Sequence, residues 1–270
     1  MTLNTILVHT NIDYFAEGPV RIAADLALRF GANLIGVCAC SIQPLLTDAA
    51  AVGVPTLTED PSDIEKQLEA AEARFRGAVA RAETPTEWRS SIDFPTDHAA
   101  LQARAADLIV IGPNRGGSLY REVDPADLIM VVGRPVLFVP DGMSHLAADH
   151  VIVGWKDTRE ARRAVLDSLP LLERAAEVAV ATVSEEGDSE ALHSADDVVR
   201  YLQRHRVNAR HVRTEADGGT GTRIMALAQE FNADLIVAGA YGHSRLREWI
   251  FGGVTRDLLT KSPLCCLMAN

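Results

Sequence analysis

The chain repeats itself once, and that repeat limits what it can fold into. Ala106-Asp107-Leu108-Ile109-Val110 recurs as Ala233-Asp234-Leu235-Ile236-Val237, with a glycine two residues beyond each copy, Gly112 and Gly239. Each half then closes on a Pro-led apolar run, Pro135-Val136-Leu137-Phe138-Val139 and Pro263-Leu264-Cys265-Cys266-Leu267. Each half also opens on a short apolar run, Thr5 to His9 and His150 to Trp155. Solenoid units span roughly 20–50 residues, whereas this repeat takes up half of a 270-residue chain. A duplicated domain is therefore expected, divided at the turn-forming Asp141-Gly142-Met143-Ser144 into residues 1–143 and 144–270.

Within each half, short apolar runs alternate with segments of helical period. Strands are expected at 151–155, 178–183, 209–213, 235–238 and 264–268, with helices at 159–174, 194–206, 222–231 and 254–260 between them. In the first of these helices Ala161, Val165, Leu169 and Leu172 fall on one face. The first half gives strands at 6–10, 34–40, 87–92, 108–111 and 136–139, with a long helix near 62–82. Apolar strands alternating with helices imply a parallel sheet covered on both faces. The fold class expected is α/β: two repeated doubly wound domains, each with a mostly parallel five-stranded sheet.

A hydrophobic fraction of 47% with 23% charged residues supports a packed core. The net charge of −11 disfavours a nucleic-acid or anionic-membrane surface, so neither is expected as a partner. The opening Met1-Thr2-Leu3-Asn4-Thr5-Ile6-Leu7-Val8 reads as a first strand and not as a signal peptide, and no apolar run approaches the roughly 18 residues of a membrane span. Cys38, Cys40, Cys265 and Cys266 lie in apolar runs without metal-ligand spacing. They are expected as reduced core residues of a cytoplasmic protein, and no metal ligands are assigned.

Ligands of an open parallel sheet sit beyond the carboxyl ends of the strands. There the second half reads Gly239-Ala240-Tyr241-Gly242, nine residues, then Gly252-Gly253-Val254-Thr255. Glycines let the backbone approach a phosphate, and the second pair directly precedes a helix whose free N–H groups favour an anion. Thr255 adds a hydroxyl, and His243, Arg245 and Arg256 could add positive charge. This Gly-x2-Gly-x9-Gly spacing resembles the ATP-binding signature of universal stress proteins, and the likeness extends to the opening, Ala-Asp-Leu-Ile-Val and Pro-led strands. The resemblance implies a tandem member of that family, with adenine-nucleotide-alpha-hydrolase-like domains and a stress-response or regulatory role. It also implies ATP or another adenine nucleotide, with Mg²⁺, in the second domain. Carried over by position, Gly239, Gly242, Gly252, Gly253, Val254 and Thr255 would hold the phosphates, Asp157 the ribose or adenine side, and Val183 the adenine. Gly253 departs from the Ser or Thr usual in the family, which removes a hydroxyl and keeps an N–H. The resemblance further implies that the last strands of the two domains pair as an intramolecular pseudo-dimer; homodimerisation through helix faces is a further expectation.

The first half departs from the motif. Asp124-Pro125 replaces the glycine pair and Asp127 stands opposite Thr255, so two carboxylates lie where phosphates would. This half is expected to be structural or regulatory. Plainer readings stand beside the functional ones: Gly239 and Gly242 as turn glycines, Asp157 as a helix cap, His243 as a solvated loop residue, Trp155 as strand-end packing, and residues 216–222 as a loop before a helix. No Gly-x-Ser-x-Gly, His-Glu-x-x-His or Cys-x-x-Cys is present, and no catalytic residue is assigned. The alternatives are a nucleotide-free dimeric scaffold, or a nucleotide-handling enzyme such as a slow ATP hydrolase.

Overall fold

The computed structural model describes residues 2–43, 59–82, 84–183, 189–215, 219–241 and 253–270. The first half runs β1 (Thr5–His9), α1 (Glu17–Phe30), β2 (Asn33–Ala39), α2 (Pro61–Val79), β3 (Thr86–Ser91), α3 (Pro95–Gln102), β4 (Leu108–Ile111), α4 (Pro125–Val131) and β5 (Val136–Phe138). The second runs β6 (His150–Gly154), α5 (Arg159–Leu172), β7 (Glu177–Val183), α6 (Ser189–Arg204), β8 (Ala209–Thr214), α7 (Thr220–Glu230), β9 (Leu235–Gly239), α8 (Gly253–Lys261) and β10 (Cys265–Ala269).

Local chemistry accounts for these elements. In α2, Asp60 accepts from the Ser62 N–H at 2.8 Å, Pro61 takes the first helical position, and Ile64, Leu68, Ala71, Phe75 and Val79 form the buried stripe. Helix α1 buries Val20, Ile22, Ala23, Ala24, Leu26 and Ala27, and stops at Gly31, whose φ of 65° is left-handed. The repeated aspartate has a structural task. Asp107 accepts from the N–H groups of Asn4 and Thr5 at 2.8 and 3.0 Å, and Asp234 accepts from those of Asp149 and His150 at 3.0 and 3.3 Å. Each carboxylate thus satisfies the free donors where the first strand of its half begins.

The strands form one sheet in the order β3-β2-β1-β4-β5-β10-β9-β6-β7-β8. Each half supplies five strands in the same internal order. All neighbours are parallel except β5 and β10, which pair antiparallel with Leu137 opposite Leu267. The outer strands are more polar than the expected pattern. Thr86-Glu87-Trp88-Arg89-Ser90-Ser91 and Ala209-Arg210-His211-Val212-Arg213-Thr214 lie at the sheet margins, where one side faces water.

One face of the sheet is covered by α1, α2, α5 and α6, the other by α3, α4, α7 and α8. Cys265 and Cys266 point into opposite layers. All four cysteines are buried and free, and burial pushes the thiols of Cys38, Cys265 and Cys266 up to about 12. Among the described residues no helix is long and apolar enough to cross a membrane, and no three His, Cys, Asp or Glu side chains converge as a metal site.

Candidate functional site

In each half the chain leaves the first strand toward one side of the sheet and returns on the other. This makes switch points between β1 and β4 and between β6 and β9. At the second switch point the carboxyl ends of β7, β6 and β9 lie side by side: Gly154 pairs with Ala181 and with Ala238, and the Trp155 N–H donates to the Ala181 carbonyl at 2.8 Å. Val183 ends β7, Asp157 lies in the turn after β6, and Gly239 ends β9. Gly242 and Gly252 lie outside the described residues, as do His243, Arg245 and Glu248.

Gly239 is required by packing. A Cβ there would stand 2.5 Å from the Ala161 nitrogen and 2.7 Å from the Glu160 carbonyl carbon, because the first turn of α5 rests on the end of β9. Asp157 does not cap α5. Thr158 does so, its hydroxyl accepting from the Ala161 N–H at 3.3 Å. The Asp157 carboxylate instead takes the Arg162 guanidinium at 2.6 and 2.9 Å, with side chains 50% and 62% exposed. An ion pair so exposed contributes little and can be exchanged for another partner. Trp155 is buried, and its indole N–H donates to the Ser194 hydroxyl at 3.2 Å, tying β6 to α6.

Helix α8 begins at Gly253, one residue earlier than the sequence pattern predicts. Gly253 is exposed, and a Cβ on it would meet nothing within 4 Å. Thr255 is buried and its hydroxyl accepts from the Tyr241 N–H at 3.4 Å, which ties the turn after β9 to the first turn of α8. Val183 and Val254 are both half-buried against the apolar layer on the α7 and α8 side. The described candidates thus share one edge of the sheet, and Arg256 is exposed in the first turn of α8. Gly219 precedes α7 with a φ of 102°, and a Cβ on Gly221 would press within 2.7 Å of Asp257. That stretch serves helix packing; residues 216–218 lie outside the described residues.

Several residues here gave no sequence signal. Tyr241 takes a left-handed φ of 61°, and burial, then the charges of Asp124 and Asp127, push its phenol up to about 12. The second half's turn therefore lies near the start of α4 in the first, because β5–β10 pairing brings α4 beside α8. Thr182, His211 and Asp196 form a chain: His211 Nε2 lies 2.8 Å from the Thr182 hydroxyl and Nδ1 lies 3.2 Å from Asp196. Thr182 is only 2% exposed, which keeps its hydroxyl from a substrate, so the chain ties α6 to β7 and β8.

At the first switch point, Asp124 does more than add negative charge. Its carboxylate accepts from the N–H groups of Ala126 and Asp127 at 2.8 and 3.1 Å and so caps α4, with Pro125 in its first turn. A small cleft there is lined by His9, Asn11, Tyr14, Gly112 and Glu122. The His9 ring is pushed down to about 4, by burial first and His98 second.

Residues 147–269 match the family model of the Universal stress protein family. Among curated proteins none matches the chain. Among solved structures, a universal stress protein from Archaeoglobus fulgidus DSM 4304 is 15% identical, covering 99% of this chain and 98% of that one, with a TM-score of 0.73. A functionally unknown protein from Pseudomonas aeruginosa PAO1 is 13% identical, covering 99% and 92%, with a TM-score of 0.57. These likenesses establish the α/β fold with its mostly parallel sheet over nearly the whole chain. A universal stress protein from Archaeoglobus fulgidus in complex with dAMP is 20% identical over 51% of this chain and 98% of that one; its TM-score of 0.36 adds nothing to the argument.

Proposed function

We propose that this chain is a tandem universal stress protein whose second domain, residues 144–270, binds ATP or another adenine nucleotide with Mg²⁺. Its first domain, residues 1–143, is then structural or regulatory. The observation that carries this reading is the convergence at the β6–β9 switch point. Among the described residues Asp157 holds an exposed ion pair, Val183 and Val254 offer half-buried apolar surface on one side, and α8 opens at a Gly253 with no described atom within 4 Å of where a Cβ would stand. A helix N-terminus beside glycine backbone suits phosphate oxygens, and half-buried valines suit an aromatic base. Gly239, Gly242, Gly252, Gly253, Val254 and Thr255 would supply phosphate contacts, Asp157 the ribose and Val183 the base. Calorimetric titration with ATP and Mg²⁺ tests this. Gly242→Asp should abolish binding while Gly116→Asp leaves it unchanged; equal loss from both would overturn the assignment to the second half.

The protein acts as a binder whose nucleotide state alters conformation or partners. Ground-state phosphate contacts without differential stabilisation of a transition state yield little rate, so turnover should fall far below the roughly 1–10³ s⁻¹ of ordinary enzymes. A steady-state phosphate-release assay checks it. Turnover near one per second, lost in Glu248→Gln, which removes the carboxylate lying between Gly242 and Gly252 in sequence, with affinity retained, would identify a hydrolase instead.

A further inference from the structure

We infer that the first half carries its own ligand: at its switch point the Glu122 and Asp124 carboxylates stand in for the anion and the Arg121 guanidinium for its cationic counterpart, all tethered in one segment. The inference rests on the phosphate assignment proposed for the second half. Counting from the repeated Ala-Asp-Leu-Ile-Val, Arg115 occupies the place of Gly242. Its backbone N–H donates to Glu122 Oε2 at 3.0 Å, and the Gly117 N–H donates to the same oxygen at 3.2 Å. Counting back from the Pro-led strands, Ala126 and Asp127 occupy the places of Val254 and Thr255. Their N–H groups donate to the Asp124 carboxylate. The donors at the places of Gly242, Val254 and Thr255 are therefore already bound to carboxylates two residues apart in the chain, while the Asp124 N–H, at the place of Gly252, goes to the Thr96 hydroxyl at 3.0 Å.

The fit around these groups is close. Glu122 is only 6% exposed, and a Cβ on Gly117 would stand 2.7 Å from its carboxyl carbon, so the loop packs closely against the carboxylate there. The Asn114 carboxamide holds the loop from both sides, accepting from the Gly116 N–H at 2.7 Å and donating to the Val123 carbonyl at 3.0 Å. One residue before Glu122, the Arg121 guanidinium grips Asp13, which lies in the β1–α1 loop as Asp157 lies in the β6–α5 loop. It also donates to Glu59 at 2.8 Å, to Gln67 at 2.7 Å and to the Cys40 sulfur, just past β2, at 3.4 Å. The β1–α1 loop, the end of β2 and the α2 segment are thus joined by one side chain that is 19% exposed. Charge-assisted contacts of this kind are the strong class of hydrogen bond, and the tether holds them without the entropy cost of capturing a free ligand. The first half is thereby fixed in one filled state, and only the second half can respond to a ligand.

Amide hydrogen exchange on the full chain tests this without any nucleotide. In the unaltered protein the amides of Arg115, Gly117, Ala126 and Asp127 should exchange at least about 10-fold more slowly than the amide of Leu119, an exposed residue of the neighbouring loop. Glu122→Ala should remove protection at Arg115 and Gly117, and formate, but not chloride at equal ionic strength, should restore it. Asp124→Ala should do the same to Ala126 and Asp127 alone, and keeps the test open if the first variant does not fold. Rapid exchange of these amides in the unaltered protein would overturn the proposal. Protection lost in Glu122→Ala without formate rescue would also overturn it, leaving Glu122 an ordinary tether. Failure of ATP to bind the second half while this pattern holds would count against the proposed function only, leaving the self-filled switch point in place.

Discussion

Mild acid should weaken this fold through His9. The residue ends β1 beneath the first-half cleft, and its Nε2 is shielded from solvent with no hydrogen-bond partner among the described residues. Burial, and secondarily His98, holds the ring at about 4 against an ordinary value of 6.5. Above 6.5 the ring is neutral in both folded and unfolded chains and contributes nothing. As pH falls from 6.5 to 4 the unfolded chain takes up a proton that the folded chain refuses, so stability drops across that window. A gap of about 2.5 pH units at about 1.4 kcal/mol each gives a loss of about 3 kcal/mol. That is a ceiling, because part of the His9 side chain still meets solvent. His98, also lowered chiefly by burial, adds in the same direction. The other titratable groups at the cleft are Tyr14 and Glu122, and the Tyr14 phenol, pushed up to about 12, stays protonated throughout. A few kcal/mol is a large share of the roughly 5–15 kcal/mol that holds a domain together. Urea unfolding of the unaltered chain and of His9→Gln, at pH 7.5 and at pH 4.5, isolates the effect, since the carboxylates titrate alike in both. The unaltered chain should lose about 1 M more of its urea midpoint than the variant. Parallel losses would refute the assignment of the acid sensitivity to His9.

Gly239→Ala should destabilise the second half by about 1–3 kcal/mol, because the new Cβ meets the α5 backbone and not a side chain that could turn aside; a melting temperature unchanged from the parent would contradict that packing. Asp107→Ala and Asp234→Ala should each cost about 0.5–1.5 kcal/mol in denaturant unfolding by removing the acceptor of two partly exposed N–H groups at the start of β1 or β6. If either change is silent, the repeated aspartate is not the lock described above. Asp157→Asn should weaken nucleotide binding while leaving the melting temperature within about 1 °C, since its ion pair with Arg162 is exposed; a stability loss with unchanged affinity would reverse that division of roles.

Much of this architecture was legible because short-range rules carry it. Apolar runs of strand length gave the inner strands to within a residue or two, since buried parallel strands have little freedom in composition. The repeat gave the internal symmetry, and the structure supplies a reason for it: Asp107 and Asp234 each close the start of a first strand. Helix α1 gave a weaker signal. Its buried residues recur at helical spacing (Pro19/Val20, Ala23/Ala24, Leu26/Ala27) with Ile22 between, but no side chain caps its start, and the alanines in the stripe are small. Helices α3 and α4 are too short for periodicity to speak, at 8 and 7 residues.

The glycine motif was readable as a set of backbone donors, but whether a donor is open to a ligand is decided elsewhere. Gly239 shows one side of this, since α5 demands a glycine there whatever binds. The first half shows the other. Its amides at Arg115 and Gly117 resemble a phosphate cradle in position, yet a carboxylate at Glu122 satisfies both. The Arg121 guanidinium reaches Asp13 from 108 residues away and Gln67 from 54. No window along the chain can register such contacts, because they depend on which loops the sheet order brings together. A motif therefore sets which donors a strand–loop–helix turn presents, and the long-range fold sets whether a ligand or the chain itself receives them.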